Sequence, residues 1–149
     1  MEEPSRFYRW AAGNLLENLN RGLFAEWLVH EALGITQEFR DAWAEHDALY
    51  EDIKIEIKAA AYEQAWKQSG PSKIQYKIEQ RTADLYVFCL MQGREPTDLD
   101  AWTFWVIPTS QLPIQKTISE KPLRKLFDDR GLKGVNYWSL ADAIRVAAR

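Results

Sequence analysis

Asp47, Glu56 and Lys58 are the residues whose types and spacing could do chemistry, and they fall in one short stretch, Asp47-Ala48-Leu49-Tyr50-Glu51-Asp52-Ile53-Lys54-Ile55-Glu56-Ile57-Lys58. Its second arm alternates Ile53, Ile55 and Ile57 with Lys54, Glu56 and Lys58. Alternation with period two sends isoleucines to one face of a strand and charges to the other, so Glu56 and Lys58 are same-side neighbours. A reversal at Glu51-Asp52 pairs Tyr50 with Ile53, Leu49 with Lys54, Ala48 with Ile55 and Asp47 with Glu56. Two carboxylates then stand opposite each other, where like charges destabilise a sheet. At ~4 Å and an effective dielectric of about 20 the repulsion is roughly 4 kcal/mol. A divalent cation with oxygen ligands is the natural compensation, and Mg²⁺ suits a site with few carboxylates. The register carries this expectation, because a one-residue change in loop length would part Asp47 from Glu56.

The elements that must position these groups can also be read. Leu15, Leu16, Leu19, Leu23, Trp27, Leu28, Ala32 and Leu33 recur at helical spacing, and Gly34 is a C-terminal stop. Asn18, Asn20 and Gly22 weaken the middle, which predicts two helices, the second from about Asn20 to Leu33. Leu19, Gly22, Leu23, Glu26, His30 and Leu33 share a face of that helix, which places an acid on a core-directed side. Lys73 to Ile78 alternates, with Ile74, Tyr76 and Ile78 inward and Lys73, Gln75 and Lys77 on a basic outer face. Asp84 to Met91 and Trp102 to Ile107 are continuous β-prone runs, expected as central strands, and Pro108 ends the second. Tyr62 to Lys67 reads as a short helical turn, Gln92 to Asp100 as a solvated loop, and Ser119 to Asp129 and Ser139 to Ala148 as closing helices, the last with Ser139 as N-cap.

Composition narrows the classes. The chain has 149 residues, 46% hydrophobic and 28% charged, which suits one globular domain with a good core, and the helical and strand-like segments together make its expected class α/β. No run approaches a membrane span, and the N-terminus is acidic where a signal peptide is basic, so a soluble, cytoplasmic protein is expected. The lone Cys89 lies in an apolar run and reads as a buried thiol. A net charge of −3 does not suit a protein that coats nucleic acid, although a local basic face is compatible with it. No nucleophile elbow, glycine-rich phosphate loop, zinc-ligand spacing or dinucleotide fingerprint occurs.

A helical Glu26, then Asp47, then Glu56-Ile57-Lys58 on a strand, then a buried strand, resembles the PD-(D/E)xK nuclease superfamily. The resemblance covers about residues 20 to 110. Gly22-Leu23-Phe24-Ala25-Glu26-Trp27-Leu28 and Ile55-Glu56-Ile57-Lys58 are similar to segments of uncharacterised prokaryotic members with a Glu-Val-Lys motif. The resemblance implies a restriction endonuclease-like domain over 1–149: N-terminal helices in 5–33, a mixed sheet of about five strands in 40–108, and C-terminal helices in 119–148. It implies Asp47 and Glu56 as metal-binding acids, Lys58 as the motif lysine and Glu26 as a supporting acid. Two departures stand out: His46 precedes Asp47 where the family has proline, and the helix before the last core strands is short or missing between Lys77 and Asp84.

The expected activity is Mg²⁺-dependent phosphodiester hydrolysis in DNA, with Mn²⁺ able to substitute. Asp47, Glu56 and the Ile57 carbonyl would hold the ion and Lys58 would assist the attacking water. Lys73, Gln75, Lys77 and Gln64 would contact substrate, and Trp66 is the one tryptophan expected to touch it, Trp27, Trp102 and Trp105 falling on core faces. A homodimer would supply the two sites needed to cut both strands together. The alternative is a catalytically inactive domain of the same fold that binds nucleic acid or a protein. Plain ion pairs compete for the same residues, Lys58 with Glu45 across the hairpin and Glu26 with His30 along the helix.

Overall fold

The computed structural model describes residues 4–37 and 39–149. The chain folds as a mixed α/β structure. Helix α1 spans Pro4–Ala12 and α2 Asn18–Leu33; strands β1 (Ala48–Tyr50), β2 (Ile53–Ala61), β3 (Gln75–Lys77), β4 (Leu85–Met91), β5 (Trp102–Pro108) and β6 (Thr117–Ser119) follow, then helices α3 (Glu120–Asp129) and α4 (Tyr137–Ala147). One sheet has the order β1-β2-β4-β5, and β3 with β6 forms a separate two-stranded ribbon. The expected five-stranded sheet is thus four strands plus a ribbon, because β3 pairs with β6 instead of joining the central sheet.

The hairpin follows the expected register over three pairs, Ala48 opposite Ile55, Leu49 opposite Lys54 and Tyr50 opposite Ile53, while the expected fourth, Asp47 with Glu56, lies beyond the end of the ladder. Glu51 and Asp52 both take positive φ, 48° and 71°, as a two-residue hairpin turn with the twist of its strands requires. β2 then runs parallel to β4, with Ile55 beside Leu85 and Lys58 beside Phe88, and β4 runs antiparallel to β5. All of β4 is buried, which accounts for its unbroken apolar sequence.

Each face of the sheet has its own core. Ile55, Ile57, Leu85, Val87, Cys89, Phe104 and Val106 pack against Ala25, Leu28 and Val29 of α2 and Leu140 and Ile144 of α4. Tyr86, Phe88, Leu90, Trp105 and Ile107 pack against Ile74, Tyr76, Ile78 and Ile118 of the ribbon and Leu123 and Phe127 of α3. The outer edge of β5 is covered where Val135 and Phe104 exchange two backbone hydrogen bonds of 2.8 Å. Gly134 permits that approach, since a Cβ there would lie 2.7 Å from Thr103 Cγ2 and 2.9 Å from the Trp105 ring.

Helix α2 ends at Gly34, left-handed at φ 69°, as the glycine stop implies. Its buried side differs from the expected face. Leu19 is 68% and Trp27 53% exposed, whereas Arg21 is 1% exposed. Arg21 Nη1 donates to the Leu16 carbonyl (2.8 Å), and Nη2 donates to Asn18 Oδ1 (2.8 Å) and Gln64 Oε1 (3.2 Å). No helix forms over Tyr62 to Lys67, because side-chain amides take the backbone groups: Gln68 Oε1 accepts from the Gln64 N–H (2.7 Å) and Gln68 Nε2 donates to the Tyr62 carbonyl (3.1 Å). Helix α4 begins a turn early, with Asn136 as N-cap accepting from the Ser139 N–H. No described helix is long and apolar enough to cross a membrane.

Candidate active site

The site forms where β1 and β2 part. The last backbone bond between the arms runs from the Asp47 N–H to the Ile55 carbonyl, 3.1 Å. Beyond it the Asp47 side chain takes over, Oδ2 accepting from the Ile57 N–H at 2.8 Å. A carboxylate thus stands where a ladder carbonyl would, and the strands fork at its position. One residue on from Ile55 and Ile57, whose side chains enter the α2 core, the same pleat turns Glu56 and Lys58 to the ribbon side.

Glu56 is buried, and its carboxylate lies 3.2 Å from Lys58 Nζ, with side chains 11% and 29% exposed. Lys58 therefore pairs with its strand neighbour and not with Glu45. Burial, then the Asp47 charge, raise the Glu56 proton affinity above the ordinary carboxylate value, and the Lys58 ammonium opposes them. The carboxyl is buried and next to a like charge, although the ladder ends at Ala48 and Ile55 and does not pair Asp47 with Glu56.

Glu26 reaches the same neighbourhood from α2. It is buried, and its two oxygens accept from Arg40 Nε at 3.0 Å and Nη2 at 3.2 Å. Burial raises its proton affinity, the Arg40 bond opposes that, and the Asp47 charge raises it further. Asp47 therefore acts on both buried glutamates, one on each side of the fork. His30 does not pair with the Glu26 carboxylate; its Nδ1 lies 2.9 Å from the Glu26 backbone carbonyl. A small cavity of about 210 Å³ opens here, bounded by Glu26, His30, Asp41, His46 and Asp47 among others. The His46 Nδ1 is sealed from solvent without a hydrogen-bond partner.

The other expected contacts lie elsewhere. Lys73, Gln75 and Lys77 are exposed on the ribbon, and Gln75 Nε2 donates to Thr117 Oγ1 at 3.0 Å. The ribbon contacts β2, but through the side carrying Ile74, Tyr76 and Ile78. Gln64 is buried with its amide bonded to Arg21 and to the Ala61 carbonyl. Sequence reasoning missed Arg40, which lies in irregular chain after Gly34 and carries no periodic signal. It also missed Arg21, although extending the spacing of Leu28, Val29 and Ala25 back by four residues lands on it.

Among the described residues no group of three or more His, Cys, Asp or Glu side chains is arranged to hold a metal ion. The acids at the fork are Asp47 and Glu56. That set fits an ion such as Mg²⁺, which keeps several waters and takes one or two protein carboxylates. Comparison with known protein families, with curated proteins and with solved structures found no match.

Proposed function

We propose that this chain is a metal-dependent nuclease of the PD-(D/E)xK kind that hydrolyses phosphodiester bonds in DNA. The observation that carries the proposal is the fork itself: Asp47 holds the Ile57 N–H, bears on the buried Glu56, and has Lys58 beyond it at 3.2 Å from Glu56. Asp47, Glu56 and the Ile57 carbonyl would hold Mg²⁺, or Mn²⁺ in its place. When bound, such an ion supplies a water made nucleophilic near neutral pH and a counter-charge for phosphate oxygens. Lys58, partly exposed beside Glu56, orients the attacking water or balances phosphate charge. Arg40 holds Glu26 in place and leaves its guanidinium about half exposed for a neighbouring phosphate. Lys73, Gln75 and Lys77 offer contacts to the nucleic-acid backbone that carry no sequence information.

A second reading has its own support. Glu26 and Glu56 already have cationic partners in Arg40 and Lys58, as they would in a domain of this fold that binds nucleic acid or a protein without cutting. Incubation with single-stranded, duplex, nicked and branched DNA and with RNA, with Mg²⁺ or Mn²⁺, separates the two. Cleavage by the native chain should fall by about 100-fold or more in Asp47→Ala and Lys58→Ala. Equal cleavage by all three proteins would mark a contaminant and remove the nuclease reading.

A further inference from the structure

A second cavity, of about 360 Å³, adjoins the Asp47 cavity and shares Glu26, His30 and Gln37 with it. Its apolar walls include Leu23, Trp27, Ile35 and Phe39, and Thr36, Gln37 and the acid Glu31 supply polar groups. Trp27 is 53% and Phe39 76% exposed, which sets two aromatic surfaces beside the buried acid Glu26. The Trp27 indole has a fixed support: its ring lies 5.6 Å from Phe24, which lies 6.4 Å from the buried Trp102. Arg40 stands on the boundary, lining this cavity while bonded to Glu26.

We propose that this cavity receives one unpaired base of a nucleic acid whose phosphate lies at Arg40 and the Asp47 fork. The placement of the phosphate rests on the nuclease reading; the base pocket stands on its own walls. Flat aromatic surface suits the π-face of any base, and the polar groups suit its hydrogen-bonding edge. Arg40, bonded to Glu26 but about half exposed at the boundary, is where the phosphate of a base-bearing ligand would meet the cavity, whose lining also includes the acid Glu31. Bases inside a continuous duplex are stacked on both sides and cannot enter without unstacking, so the chain should favour single strands, ends or gaps.

The test uses the full chain with EDTA present, so that binding is read without cleavage. Fluorescence anisotropy of a labelled oligothymidylate and of a duplex of equal length is measured for the native protein, Trp27→Ala, Phe39→Ala and Trp27→Phe. The native chain should bind the single strand more tightly than the duplex. Each alanine variant should weaken single-strand binding by roughly ten-fold, with little effect on duplex, and Trp27→Phe should lose less. Unchanged single-strand affinity in both alanine variants, or no single-strand binding by the native chain, would overturn the pocket. A Phe39-dependent dimer in sedimentation would overturn it in favour of a second copy of the chain. Aromatic-dependent binding without cleavage in Mg²⁺ would keep the pocket and remove the nuclease reading, whereas cleavage indifferent to Trp27 and Phe39 would do the reverse.

Discussion

At the scale of single residues, Asp47 has two duties that substitution can separate. Its carboxylate completes the hairpin through the Ile57 N–H and also places a negative charge against Glu56 and Glu26. Both glutamates take up protons above the ordinary value of 4.5, chiefly because burial disfavours their charged forms. A carboxyl that binds its proton more tightly folded than unfolded favours folding at low pH. That contribution is lost as pH rises from about 4.5 through the folded value. Urea midpoints of the native chain should therefore carry a declining term between acid and neutral pH, at most about 1.4 kcal/mol per unit for each group. In Glu56→Gln the Glu56 share of that slope should vanish; a slope identical to that of the native chain would contradict the buried, acid-facing position of Glu56. The alternation of Ile55, Glu56, Ile57 and Lys58 made this cluster legible in sequence, since a strand fixes which side chains are neighbours. Arg40 was not legible, because an arginine in irregular chain has no period. Trp27 misled because helical spacing gives the direction of a face and not its width, and the buried stripe of α2 runs through Arg21, Ala25 and Leu28 instead.

At the scale of elements, the β1–β2 turn holds two ordinary residues in left-handed backbone. Glu51 at φ 48° and Asp52 at φ 71° each occupy a region that costs a residue with a Cβ about 1 kcal/mol. Replacing them by the pair that prefers this turn, Glu51→Asn with Asp52→Gly, should raise stability by about 1 kcal/mol and leave the register intact. Urea unfolding measures this, and a loss of stability would mean that the acidic side chains make contacts worth more than the backbone relief. This hairpin was readable because its arms adjoin in sequence and the turn fixes their pairing. The pairing of β3 with β6 was not, since Gln75 meets Ser119 across many intervening residues and nothing local marks one short strand as the partner of another. The start of α4 shows the same limit at close range: Asn136 and Ser139 are both good caps, and only the bond from the Ser139 N–H decides between them.

For the whole molecule, the two cores meet at β4, which is buried along its entire length. Cys89 lies within it without exposure, and burial pushes its thiol well above the ordinary range. A thiol reagent at mildly alkaline pH should leave Cys89 unmodified in the native protein and modify it fully in concentrated guanidinium, with rates between them tracking global opening. Prompt reaction under native conditions would show that β4 opens locally. The continuous apolar run from Leu85 to Met91 announced this strand, and the mixed α/β class followed from such runs set among helical segments. The parallel pairing of β2 with β4 has a consequence for the order in which the chain acquires its properties. Ile55 meets Leu85, thirty residues further on, so this contact closes a long loop while the hairpin closes a short one. As the chain emerges during synthesis, Asp47, Glu56 and Lys58 are all present before their enclosure can exist. Until β4 arrives the hairpin lacks its neighbouring strand, and the docking of β4 sets Tyr86 beside Glu56.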